Sequence, residues 1–475
     1  MDLLKRILQI GLVMGAAAAC AAAQESALPS APSAVRVFAG WVVARRAAVD
    51  VVRLTLDDAV QLALKNNFQI ALAQQQANAV QGQRLTAFQS LMPELSLSAK
   101  TDAKEINLAA MGFKPSTLPV VPGQPAIKSI VKVKTTSAQI NVSQMLFNLP
   151  AYEVYRGAKA AVESAALGAL SSHGGVVQAV GTQYLQTLAA ASDVANARAL
   201  LTSDAEVLRQ ATESHDAGVG TNLDVLRARV AYQTQQQALV AAENVYAKSM
   251  MQLNRLIGQP VEQKIELVDT VPFAELAVLP LAEAKTIAYA RRKDLLTLQA
   301  EARAAEFERR AIKFERLPTM RVHGFYGVLG ETTGLYHGVF TAQAGLQFPI
   351  FQEAQIRGDR EVSDALLGQL RAQIEDLKIE IDAQIRTSML DVSAAAARVK
   401  VARSNVALAS ELLEDSVQRF KAGVDDALPV VQAQAEVAAA QTQEVRAEFE
   451  YNAAKLGLAR NTGVIETQYG SYLGR

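Results

Sequence analysis

Few residues of this 475-residue chain have the type and spacing that covalent chemistry needs. Its four histidines, His173, His215, His323 and His337, stand far apart, without a cysteine or a His-x-x-x-His neighbour. No metal-ligand cluster is read, and no metal or cofactor is expected. The glycine-rich run Gly327 to Gly334 has no following lysine, so it reads as a strand-to-loop bend rather than a phosphate cradle. Neither Gly-x-x-x-x-Gly-Lys-Ser/Thr, Gly-x-Ser-x-Gly nor His-Glu-x-x-His occurs. Lys+Arg and Asp+Glu both total 47, leaving no basic field to draw the chain to nucleic acid. The expectation is a protein that is not an enzyme.

What remains is architecture. Half of the residues are hydrophobic, yet only 5% are aromatic, because alanine carries much of the apolar share and suits narrow seams between helices. The N-terminus, residues 1–23, reads as a secretory signal: Lys5 and Arg6, the apolar run Ile7 to Ala19, then Ala21-Ala22-Ala23 as a small-residue cleavage site. Cys20, the sole cysteine, is the candidate for lipidation, although Ala17 stands where a larger aliphatic residue is usual; cleavage after Ala23 would instead remove it. Residues 24–53 read as an extended linker. No run of 18 apolar residues follows, since Val35 to Val52 is broken by Arg45, Arg46 and Asp50. An exported chain that crosses a membrane without such a helix must do so as a closed barrel of strands.

The chain repeats itself. Leu54-Thr-Leu-Asp-Asp-Ala returns as Leu279-Pro-Leu-Ala-Glu-Ala, and Pro93 returns as Pro318, both 225 positions later. Further on, Phe147 matches Phe351, and Ala217-Gly218-Val219 matches Ala422-Gly423-Val424, at offsets of 204 and 205. The plan is a first repeat over 54–278, a second over 279–463 and a tail over 464–475. The extra residues of the first repeat fall in Asp102 to Lys134, which carries Pro115, Pro119, Pro122 and Pro125 and reads as a loop.

Strand alternation is clearest in Thr136 to Phe147, with Ala138, Ile140, Val142 and Leu146 opposite Ser137, Gln139, Asn141 and Ser143. Phe340, Ala342, Ala344, Leu346 and Phe348 repeat the pattern, and weaker strands run over Glu94 to Ala99 and Thr319 to Val328. One strand hairpin therefore lies in 93–147 and another in 318–351. The rest reads as helix. Leu370, Ile374, Leu377, Ile381, Ile385, Met389 and Val392 make a narrow stripe of coiled-coil type. Ala151 to Asp216 holds no proline and would reach roughly 100 Å at about 1.5 Å per residue. Turns at 217–222 and 422–427 reverse the two long helices, with Gly218 and Gly220 free to take positive φ.

Two long helical hairpins alternating with two strand hairpins, carried by Leu-Met-Pro93, Leu-Pro318, Ser143-Gln-Met-Leu-Phe147 and the paired Ala-Gly-Val turns, resemble the TolC-type outer membrane factor family. The resemblance covers about Leu54 to Gly463. It implies a mainly α fold with a small β portion: a homotrimeric, 12-stranded outer-membrane barrel continued by a long periplasmic α-helical barrel. It further implies a passive conduit of a tripartite efflux or export system, docked by a periplasmic adaptor and an inner-membrane pump. On that likeness Gly218, Val219, Gly220 and Thr221, with Gly423, Val424, Asp425 and Asp426, are the adaptor-docking candidates. Where family members carry gating aspartates beyond the second tip, this chain has Pro429 and Gln432, which leaves Asp425, Asp426 and Asp224 as gate candidates. Capping the helix that carries Pro429 in its first turn is the favoured reading of Asp426, ahead of the gate. A soluble periplasmic coiled-coil scaffold or adaptor is the alternative, and it predicts protein that needs no detergent.

Overall fold

The computed structural model describes residues 51–112, 129–269, 274–277, 279–422, 424–425 and 428–474, all within a compact unit from Ala47 to Arg475. The signal, Cys20, most of the proline-rich segment, Gly423 and Asp426 lie outside the described residues.

Strand β1 (Val52–Leu54) leads into α1 (Leu56–Asn66), which opens on a capping box. The Asp58 amide donates to Thr55 Oγ1 at 3.1 Å while the Thr55 amide donates to the Asp58 carboxylate at 3.3 Å, so two amides that lack helical partners are satisfied. Leu56, Ala59, Val60 and Ala63 return every three or four residues and form the buried face of α1. Helix α2 (Phe68–Gln89) has no fully buried residue; it lies along the first long helix as a cover.

The strands β2 (Glu94–Asn107) and β3 (Ile130–Phe147) form one antiparallel hairpin. Helix α3 (Leu149–Asp216) follows, with the Asn148 side chain accepting the Ala151 amide and Pro150 in the first turn. Its 68 residues extend about 100 Å at about 1.5 Å each. Helix α4 (Asn222–Leu256) returns along it, and β4 (Ile265–Leu267) pairs in parallel with β1. The same order then recurs: α5 (Leu281–Arg291), α6 (Lys293–Phe314), β5 (Thr319–Glu331), β6 (Tyr336–Gln347), the 69-residue α7 (Glu353–Lys421) and α8 (Leu428–Asn461), closed by α9 (Ile465–Tyr472).

The largest core gathers where β1, α1, α3 and the end of α8 meet, around Leu54, Leu56, Val180 and Tyr184. The Tyr184 hydroxyl, fully buried, lies 3.0 Å from both the Leu54 carbonyl oxygen and the Asp269 carboxylate. Asp269 also accepts the Leu56 amide at 2.7 Å, tying the connection that follows β4 to the start of α1. The α7 stripe is a seam as its spacing demands: Ile374, Ile381 and Ile385 are buried against Ala284, Ala288 and Leu295, and Val392 against α8.

Two sequence expectations are corrected. The segment from Asp102 was read as loop, but β2 continues to Asn107 and β3 already begins at Ile130. Past the apolar stretch, both faces of this hairpin carry charge; Lys132 pairs with Glu105 across the strands at 3.2 Å, and Lys100 with Asp102 along β2 at 3.5 Å. Gly327 and Gly330, read as part of a bend, sit inside β5, which runs on to Glu331. A Cβ on Gly327 would lie 2.2 Å from the Ala138 carbonyl oxygen, so this glycine permits the close approach of β3.

Candidate functional site: an apolar sheet face and two helical tips

The four strands form one antiparallel sheet in the order β2-β3-β5-β6. Residues directly opposite in such a ladder share a face. Leu95, Val142, Gly324 and Ala342 form one row; Leu97, Ile140, Tyr326 and Phe340 the next; Ala99, Ala138, Val328 and Gly338 the third. Met320 with Leu346 extends the band at one end and Gly330 with Tyr336 at the other. No charged residue interrupts these rows.

This face is uncovered: Leu97 is 78% exposed, Phe340 77% and Tyr326 71%. The opposite face is mostly polar, with Ser96, Ser98, Gln139, Asn141, His323 and Gln343 beside Phe325, Leu329 and Val339, and Asn141 donates to Ser98 Oγ at 3.0 Å. From Met320 to Gly330 the strand rises about 33 Å at about 3.3 Å per residue. Tilted by about 40°, it spans about 25 Å along a membrane normal, the height of a hydrocarbon band.

At the far end of α3 the chain turns in a Schellman motif. Gly218 takes φ 76°, its amide donates to the His215 carbonyl at 2.9 Å, and the Val219 amide donates to the Ser214 carbonyl at 3.0 Å. Gly220 does not take positive φ, contrary to the sequence reading. It is small because a Cβ there would stand 3.0 Å from that of Ser214 and 3.1 Å from the His215 amide nitrogen. Thr221 caps α4 in a second capping box: its hydroxyl lies 2.6 Å from the Asp224 carboxylate, and the Asp224 amide donates to it at 3.2 Å. Asp224 is thus engaged locally, with Arg227 at 3.8 Å. The turn projects Val219, 82% exposed.

At the second tip α7 ends at Lys421, and the Val424 amide donates to the Arg419 carbonyl at 3.0 Å. Asp425 accepts from Arg419 Nε at 2.6 Å, and this hydrogen bond with its charge holds the Asp425 carboxyl below the usual carboxylate range. Among the described residues, the structure therefore brings Gly218, Val219, Gly220, Thr221 and Asp224 together at one tip and places Val424 and Asp425 at the other.

A family model described as "Outer membrane efflux protein" matches residues 59–259 and 286–464. The chain belongs to the outer membrane efflux protein family. Among curated relatives, it is 25% identical over 297 residues to the pyoverdine export outer membrane protein OpmQ of Pseudomonas aeruginosa, covering 61% of each chain. It is 22% identical over 340 residues to the alkaline protease secretion protein AprF of the same species, covering 69% of each. The chain thus spans about 61% of the length of the OpmQ relative. Among solved structures, the outer-membrane channel OprN superposes with a TM-score of 0.71 at 17% identity, over 86% of this chain and 89% of that one. The Campylobacter jejuni CmeC outer membrane channel gives 0.74 at 15% identity, over 86% and 85%. The family's fold, long helices with a small β portion, is the fold of this chain.

One residue of note escaped the sequence reading. Asp204 lies in the buried stripe Leu200, Asp204, Val207, Ala211 of α3, is only 7% exposed, and burial pushes its carboxyl up to about 6. An acidic residue in register with apolar ones on a helical stripe was the available signal. Lys455 is a second: fully buried, it donates to the Ala274 carbonyl at 3.1 Å and stands over the Tyr451 ring.

Proposed function

We propose that this chain, as a homotrimer, is the outer-membrane conduit of a tripartite export system and moves solutes passively from periplasm to exterior. The observation that carries this reading is the uncovered apolar face of the sheet, joined to edges on β2 and β6 that have no partner strand among the described residues. In lipid an unpaired strand edge costs several kcal/mol for each unsatisfied backbone group, so the sheet must close with other copies. The named relatives, an exporter of pyoverdine and a component of alkaline protease secretion, support the same class of role.

The helical tips at Gly218-Val219-Gly220-Thr221 and Val424-Asp425 are the surfaces proposed to meet a periplasmic adaptor, through which an inner-membrane pump supplies the energy. Glycine turns let another helix approach the backbone closely. The proposed gate is narrower than the sequence suggested. Asp425, held by Arg419, and Asp224, held in a capping box, reach a closing ring only by giving up those partners.

Fractionation and reconstitution test the reading. The expected outcome is protein in the outer membrane that requires detergent, elutes with three-chain stoichiometry and gives ion conductance in planar bilayers. Monomeric protein that stays dissolved without detergent overturns it in favour of a periplasmic scaffold.

A further inference from the structure

The face that carries the apolar rows continues past them along the β2–β3 hairpin. Strand β2 follows α2 and β3 leads into α3, so Glu94 and Phe147 stand at the helical end of the sheet, and Asn107 and Ile130 at the end remote from it. Beyond the row of Ala99 and Ala138 the side chains on this face change in a fixed order. Thr101 and Thr136 come first, with Tyr336 in their row, and hydroxyl contacts of 3.0 and 3.2 Å join Thr101 to Thr136 and Thr136 to Thr332. Lys134 follows, and then Lys132 opposite Glu105. Glu105 compensates Lys132 at 3.2 Å, whereas exposed Lys134 has no carboxylate partner among the described residues. On the other face, Lys100 and Lys104 both lie within reach of Asp102, at 3.5 and 3.9 Å. Residues 100–134 hold six lysines against two acids, in a chain whose Lys+Arg and Asp+Glu both total 47. The excess of positive charge is therefore local to this hairpin.

Height decides which anion meets it. Lys134 stands two residues beyond Thr136, which is about 5 Å along a membrane normal at about 3.3 Å per residue and a tilt of about 40°. A hydrocarbon core of about 30 Å within a bilayer of about 40–45 Å leaves headgroup layers about 5–8 Å deep. Apolar rows, then a tyrosine and threonine hydroxyls, then an uncompensated ammonium follow the order of a lipid molecule from acyl chain to headgroup.

We propose that Lys134, with Lys132 beside it, binds the phosphate of an anionic lipid in the leaflet remote from the helices, the acyl chains lying against the rows of Leu97 and Ala99; this rests on the conduit reading, which puts that face in the membrane. Charge complementarity selects an anionic headgroup over a zwitterionic one. Free phosphate gains nothing from the apolar rows, so lipid is the source.

Native mass spectrometry on the detergent-solubilised full chain tests it by counting lipids retained per particle. The probe is dioleoyl phosphatidic acid, the control is phosphatidylcholine with the same acyl chains, and millimolar inorganic phosphate is the competitor. The expected result is at least fivefold stronger retention of phosphatidic acid, displaced less than twofold by inorganic phosphate. Lys132→Gln with Lys134→Gln should remove the preference, and Lys134→Gln alone most of it, because Glu105 already holds Lys132. Lys100→Gln with Lys104→Gln, on the other face, should leave it unchanged. No preference between the lipids, equal loss from the two double variants, or full displacement by inorganic phosphate overturns the proposal. Stoichiometry and conductance of the same samples separate the two readings: conducting three-chain particles without the preference overturn the lipid site alone, whereas dissolved monomers overturn the conduit as well.

Discussion

Lys455 shows how one buried charge leaves a mark on the whole pH profile. Its ammonium has a carbonyl and an aromatic face for company but no carboxylate among the described residues, and burial lowers it from 10.5 to about 8. The sign follows from linkage. Between about 8 and 10.5 the unfolded chain binds the proton that the folded chain has released, so stability rises with pH across that window and is flat below it. Because a carbonyl and a π partner stand by the ammonium, the gain expected is about 1–2 kcal/mol rather than the full linkage value. Lys455→Met should remove the gain, so that the difference in melting temperature between native and variant protein shifts in favour of the native chain from pH 8 to 10. An unchanged difference across that range would mean the lysine is not desolvated. Lys455 was not legible in the sequence, and Asp204 only by its register with the apolar residues of its helix. A single charged residue within an alanine-rich helix looks like a solvated face until the neighbouring helices fix which side is buried.

At the scale of elements more could be read, because the pattern itself is the physical cause. Ile374, Ile381, Ile385 and Val392 were a seam in the sequence and are buried in the fold. Ile140 and Phe340 alternated with polar residues in the sequence, and both stand on the apolar face of the sheet. The strand ends were missed, because past Ala99 the strands carry charged residues, with Glu105 and Lys132 paired across the hairpin, rather than apolar alternation. The tip was half read: Gly218 supplies the left-handed residue, whereas Gly220 supplies space against Ser214, a distinction that spacing does not carry. The two glycines should therefore respond differently. Gly218→Val forces a β-branched residue into φ 76° and should cost about 1–3 kcal/mol, read as faster amide exchange at the ends of α3 and α4. Gly220→Ala carries no left-handed strain and asks Ser214 and His215 to give by a few tenths of an ångström, so it should cost about 1 kcal/mol, the low end for overpacking.

The faces of the sheet give a sharper contrast. Leu97 and Ser98 are neighbours in β2 but point to opposite sides. Leu97→Arg places a cation in the middle row of the apolar face, where lipid would penalise it by about 2–4 kcal/mol. Ser98→Arg places it on the wet face at little cost. The expected readout is reduced yield of assembled protein in the outer membrane, and a lower denaturant midpoint in vesicles, for the first variant only. Equal effects from both would mean that the sheet faces water on each side.

For the whole molecule, the proposed closure of the sheet in lipid sets how many copies would meet. Strands lie about 4.8 Å apart, and with a tilt of about 40° each occupies about 6 Å of circumference. Two copies of this four-stranded sheet would close at a diameter of about 16 Å, a width that side chains fill and that suits an apolar interior. Three copies give about 24 Å, wide enough for water. The inward face would carry Ser96, Ser98, Gln139, Asn141, His323 and Gln343, which outnumber Phe325, Leu329 and Val339 on that side and are better solvated than packed, so closure by three is favoured over closure by two. Light scattering on the detergent-solubilised protein should therefore give three chains per particle, and the reconstituted pore should conduct hydrated ions with weak discrimination. Two chains per particle would require the polar face to be a packed core, which its serines and amides cannot form without many unsatisfied hydrogen bonds.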